Sequence, residues 1–117
     1  MTSSDADQPA DFILVFVTVP SADVAGSLAT TLVTEGLVAC INIVPGLRSI
    51  YAWQGKVCDD TEVLCLMKTR RTLFSAVRDR VTSLHPYQVP EIVAVSLAEA
   101  NAPYLAWLVG ETAQPAE

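Results

Sequence analysis

Histidine is nearly absent from this 117-residue sequence; His85 stands alone. A transition-metal centre of three or four imidazole and thiolate ligands therefore has little to draw on within one chain. Cysteine is scarce too. Cys40, Cys58 and Cys65 are odd in number and lack C-x-x-C spacing, which excludes a disulfide framework and a paired-cysteine metal or redox motif. Basic side chains number 7 against 13 acidic ones, for a formal net charge of −6. That leaves too few phosphate-neutralising cations for a nucleic acid partner. No apolar run reaches the length of a membrane span, so no membrane insertion is expected. The first ten residues lack the basic start and apolar run of a signal peptide, which points to the cytoplasm. A phosphate loop, a nucleophile elbow and a dinucleotide fingerprint are all missing, and no organic cofactor is expected.

What is present is a core. Hydrophobic residues make up 51% and charged ones 17%, enough for one domain burying roughly two-thirds of its unfolded surface. Residues 1–10 read as a disordered leader, 11–111 as the folded domain and 112–117 as a polar tail. Phe12–Val19 is a continuous, β-branched apolar run, as in a strand buried on both faces. Ser21 is placed to cap a helix carrying Val24, Leu28 and Leu32 on one stripe, ended by Gly36. Leu37–Val44 and Leu47–Trp53 alternate with period two across Pro45-Gly46, giving one long strand with a bend. A turn at Gln54-Gly55-Lys56 leads back into a third strand over Val63–Met67. Thr69 or Thr72 is placed to cap a second helix with Leu73, Val77, Val81 and Leu84 on its stripe. That helix stops at His85, before Pro86. Ile92–Leu97 is the fourth strand, and Asn101 is placed to cap a short terminal helix.

The order βαβ, hairpin, βαβ is the split βαβ arrangement of an α+β, ferredoxin-like sandwich. It has one antiparallel sheet, two helices on one face and an extra C-terminal helix. The second face has no cover from this chain, and its apolar area calls for a second copy, so a homo-oligomer is expected.

The stretch Leu84-His-Pro-Tyr-Gln-Val-Pro-Glu91 carries the most chemistry. His85 on a proline-stiffened loop is either a metal ligand, with Glu91 as second ligand or orienting group, or a helix-ending ring whose N–H satisfies a carbonyl. Glu91 is otherwise paired with Arg48, Lys56 or Lys68. Tyr87 brings a hydroxyl to the same place. Cys40 is either packed as a small hydrophobe or a ligand or redox sensor, Cys58 is exposed, and Cys65 is core. Lys68, Arg70 and Arg71 form either an anion site or a wet edge. Tyr51 and Trp53 fit interface anchors better than a ligand cage. Asp59, Asp60 and Glu62 on the turn could attract hard cations but read more simply as solvated. His85 and Glu91 as an acid/base pair is the weakest reading, for want of any further catalytic motif.

Ala39-Cys-Ile-Asn42, Pro45-Gly46, Ser49-Ile-Tyr51, Trp53-Gln-Gly-Lys56, Lys68-Thr69, His85–Glu91 and Tyr104-Leu105-Trp107 together resemble the signature of the CutA divalent-cation tolerance proteins. The match covers about Asp11 to Gly110. The resemblance implies a ferredoxin-like protomer in a compact trimer, with long hairpins extending the sheets of neighbours. It implies association with copper or another divalent cation, metal tolerance, and no established catalysis. Copper-binding members can carry a cysteine near the end of the first strand and a histidine before the His-Pro-Tyr; here Val17 and Leu84 stand there. The alternative is a trimeric signalling or scaffold protein holding a small ligand in clefts between subunits, as in the similar PII nitrogen regulators.

Overall fold

Strand β1, Phe12–Val19, lies inside the sheet, with Ile13, Val15, Val17 and Val19 turned to the main core and no more than 3% exposed. The computed structural model describes residues 8–113. After β1 come α1 (Ala22–Thr34), β2 (Cys40–Trp53), β3 (Lys56–Arg70), α2 (Phe74–Leu84), β4 (Ile92–Ser96) and α3 (Ala102–Glu111). The spatial order is β2-β3-β1-β4 with every pairing antiparallel, so the expected α+β arrangement holds, with β2 and β4 as its edges. Both crossovers carry a helix to the same face. Ala25, Leu28 and Leu32 of α1 and Val77 and Val81 of α2 close on Val63, Cys65 and Met67 of β3. Burial pushes the Cys65 thiol pKa up, so it serves as an inert apolar filler.

Local chemistry explains the boundaries. The Ser21 hydroxyl accepts the Val24 N–H at 3.2 Å, starting α1. Gly36 takes φ +71° just after the helix, a left-handed position that favours glycine. In the β2–β3 arm the register slips between Val44 and Leu47, where Pro45-Gly46 forms the expected bulge. The arm closes at Trp53↔Lys56 over Gln54-Gly55, both with positive φ, as a two-residue hairpin demands. It makes the protomer elongated, 52 × 26 × 24 Å.

Four expectations need correction. The third strand does not begin at Val63; it runs from Lys56 to Arg70, so Asp59, Asp60 and Glu62 lie on a strand rather than a turn. Neither Thr69 nor Thr72 caps α2. Thr69 is buried in β3 and donates its hydroxyl to the Leu37 carbonyl at 2.7 Å, while Thr72 sits in a 3-10 turn, Arg71–Leu73, that feeds the helix. Asn101 occupies the N-cap position of α3 without a side-chain hydrogen bond. Finally, the second face of the sheet is partly covered by this chain. Leu105 and Leu108 of α3 pack on Phe12 and Ala39, and Lys68 Nζ lies 5.8 Å from the centre of the Tyr104 ring.

Arg70 anchors α3 by donating to the Val109 carbonyl and the Thr112 hydroxyl, each at 2.7 Å, where a cation suits a helix C-terminus. Thr112, expected in the tail, is thereby buried, and Pro9 to Asp11 form a 3-10 turn before β1. The rest of the expected leader and tail, 1–7 and 114–117, lies outside the described residues. Beyond α3 the second face stays open among the described residues. Leu14 pairs with Val95, and Phe16 with Val93 and Leu66, while Val93 and Val95 are about half exposed at 51% and 49%.

Candidate functional site

The site is built where the end of α2, the loop after it and the root of the β2–β3 arm converge. His85 ends α2, with its N–H on the Val81 carbonyl at 2.8 Å. The residue is 8% exposed, and its Nε2 lies 2.7 Å from the Thr18 carbonyl oxygen. A carbonyl only accepts, so Nε2 carries the proton and Nδ1 is left with a lone pair. Nδ1 accepts the Tyr87 backbone N–H at 3.1 Å. The imidazole is thus neutral with both nitrogens engaged, in the arrangement of a helix-ending ring that satisfies a carbonyl.

That grip sets the loop. The Tyr87 ring rests 4.6 Å from the His85 ring, and its hydroxyl donates to Glu62 Oε2 at 2.7 Å. Burial, and then the bond to Glu62, raise the Tyr87 hydroxyl pKa well above its usual value, so it stays a donor. Glu62 is only 6% exposed. On the neighbouring rungs of the arm, the Tyr51 hydroxyl donates to the Asp60 carboxylate, which pushes its pKa up to about 12. Arg48 holds Asp59 through two bonds of 2.9 and 2.6 Å, which raise the guanidinium pKa and lower that of the carboxyl.

Between arm and loop lies a cleft of about 780 Å³, whose walls include Tyr51, Trp53, Glu62, Tyr87 and Glu91. The structure therefore brings Tyr51, Trp53, Tyr87 and Glu91 together, with His85 behind the wall. It does not bring Cys40 or Lys68 there. Cys40 pairs with Lys68, six positions along β3 from Glu62, roughly 20 Å at the rise of a strand. The Cys40 thiol is half-buried and faces Asn42 Oδ1 at 3.9 Å. Glu91 is exposed and forms no ion pair with Arg48, Lys56 or Lys68. Among the described residues no group of three or more His, Cys, Asp and Glu side chains is placed to hold a metal ion.

Glu62 is the residue that sequence reasoning undervalued. Its signal was phase: it continues the period-two face of Leu64 and Leu66, which marks a strand position rather than a wet turn.

The family model described as CutA1 divalent ion tolerance protein matches residues 13–111. The chain belongs to this family. The divalent-cation tolerance protein CutA of Thermus thermophilus is 56% identical over 81% of the chain and 92% of the relative. A CutA1 protein of Oryza sativa, named chloroplastic, is 44% identical over 86% of the chain, and the match spans 56% of that longer protein. The solved structure of the Thermus thermophilus divalent cation tolerance protein superposes with a TM-score of 0.85 at 53% identity, covering 87% of this chain and 99% of that one. The family model and the Thermus thermophilus relative carry the name of divalent-cation tolerance proteins. Val17 is sealed in the core and Leu84 is exposed on α2. No helix among the described residues is long and apolar enough to cross a membrane.

Proposed function

We propose that this CutA protein acts in divalent-cation tolerance as a non-catalytic, cytoplasmic homotrimer that binds a divalent cation, copper among the candidates, at a site completed between copies. The observation that carries the proposal is the mismatch inside one chain. An acid-lined cleft opens at the root of a long arm, yet the described residues of a single copy bring too few free ligands together for a transition-metal site. His85 spends both ring nitrogens on the fold, and Cys40 is far away, so neither meets Glu91 in one protomer. Of the three expected ligands, Glu91 is the one with a free side chain at the cleft. Association is supported by the half-exposed Val93 and Val95 beside Phe16 and Leu14, an apolar surface that a second copy would cover.

Calorimetric titration of the trimer with Cu²⁺ tests this reading. About one ion per chain is expected, since a trimer has an equivalent site at each contact between neighbouring copies, with affinity reduced about tenfold in Glu91→Gln and little changed in Cys40→Ser. Unchanged affinity in Glu91→Gln would overturn it.

A second reading has its own support. A cleft of about 780 Å³ lined by three aromatic rings is the size of a small-molecule site, as a PII-like signalling or scaffold role would require.

A further inference from the structure

The cleft is more particular than its volume suggests. Glu62 is more than nine-tenths buried, yet the one hydrogen-bond partner it shows is a neutral hydroxyl, and no cation pairs with it among the described residues. A carboxylate so placed is expensive unless a positive charge joins it. Glu91, also in the wall, is likewise unpaired. Among the described residues the one cationic side chain in the lining, Arg48, is already held bidentately by Asp59. Tyr51, Trp53 and Tyr87 add aromatic surface around these two carboxylates. Aromatic faces together with carboxylates attract cations and repel anions.

We propose that the cleft binds a small organic cation, a protonated primary amine or guanidinium on a short aliphatic stem, with its N–H donors on Glu62 and Glu91 and its stem against Trp53 and Tyr51. Donors are needed because Glu62 and Glu91 are acceptors, and a stem is needed because Ile50, Tyr51, Trp53 and Val89 give the walls apolar surface. An amine of this kind has two sources, a free metabolite or the lysine or arginine of a second copy. The proposal rests on the second reading above, that the cleft is a ligand pocket, and names its ligand class.

Calorimetry on the full-length assembled protein tests it with n-butylammonium, agmatine, n-butanol and butyrate as probes. The two cations are expected to bind at least about tenfold more tightly than the neutral and anionic isosteres. Glu91→Gln, an exposed position, should weaken agmatine about threefold or more, and Glu62→Gln about tenfold where circular dichroism shows it folded. Binding of butyrate or butanol as tight as that of the amine would overturn the ligand class while leaving a ligand pocket. Absence of binding by all four probes would overturn both. If instead the Glu62→Gln and Glu91→Gln variants dissociate into single chains and bind no amine, the cation belongs to a neighbouring copy and the free-ligand proposal fails.

Discussion

The Tyr87 hydroxyl donates to the Glu62 carboxylate at 2.7 Å across 25 residues of sequence, joining the loop after α2 to the root of the β2–β3 arm. The bond works in two directions. It gives a buried carboxylate its one donor, and it holds the aromatic wall of the cleft in place. Replacing Tyr87 by Phe removes the donor and keeps the ring. Urea unfolding of Tyr87→Phe is expected to show a loss of about 1–3 kcal/mol, the cost of a carboxylate left without its hydrogen bond. In Tyr87→Phe/Glu62→Gln the loss should be smaller than the sum of the single changes. Additive losses would mean the two side chains act independently.

His85 is predicted to be a structural residue whose removal loosens the cleft. Its ring bridges the Thr18 carbonyl on β1 and the Tyr87 N–H on the loop. His85→Ala strands both groups, so stability should fall by about 1–3 kcal/mol. His85→Phe fills the volume without the bonds and should not recover that loss. Thermal unfolding of the three proteins decides it, since full recovery by Phe would make packing rather than hydrogen bonding the ring's contribution.

Most of the fold could be read from periodicity. The apolar run of β1, the stripe of α1 and the stop of α2 before Pro86 are local signals, and each landed within a few residues of the observed element. The length of β3 could not be read so easily. Asp59, Asp60 and Glu62 obscure its first half, because acidic residues suit a turn until cross-strand partners such as Arg48 and Tyr51 claim them. The cleft was half visible. The His-Pro-Tyr and Tyr-x-Trp segments stand out separately in the sequence, but nothing local says that they face each other. That depends on the register Leu47↔Glu62 and on the bulge that sets it.

Alkaline pH should weaken the arm through Tyr51. Its hydroxyl pKa is raised to about 12 because it donates to Asp60 and sits among further acidic groups. A phenol whose folded value lies above its unfolded value of about 10 contributes stability that is fully present below pH 10 and lost as pH rises through 12. Absorbance titration at 295 nm should show Tyr51 ionising near pH 12 in the parent, and nearer 10 in Asp60→Asn. Identical curves would show that Asp60 does not hold this proton.

The acid limb is expected to involve Glu35 and Arg80, which tie the end of α1 to α2 through bonds of 2.9 and 2.8 Å. The Glu35 carboxyl is held below its ordinary 4.5 by the guanidinium bond. Its contribution is therefore present above that value and lost as pH falls through the lower folded one. Both side chains are well exposed, so salt should shrink the effect. The melting temperatures of the parent and Glu35→Gln should converge as pH drops from 6 to 3, and a constant gap would assign the difference to something other than this charge.

The proposed assembly makes the sharpest demand on the open face of the sheet. Val93 and Val95 project from the edge strand β4, beside Phe16 and Leu14 of β1, and are about half exposed in one copy. A residue of that kind costs little as lysine if the face meets water, and a great deal if a second copy covers it, because the ammonium would then be buried unpaired. Val93→Lys/Val95→Lys is therefore expected to sediment as a single folded chain where the parent sediments as a trimer. Val57→Lys, at a position 80% exposed on the arm, supplies the control for added charge and should leave the assembly intact. If the double variant sediments with the parent, this face is not the contact, and the copies must join through the arm and the outer edge of β2 instead.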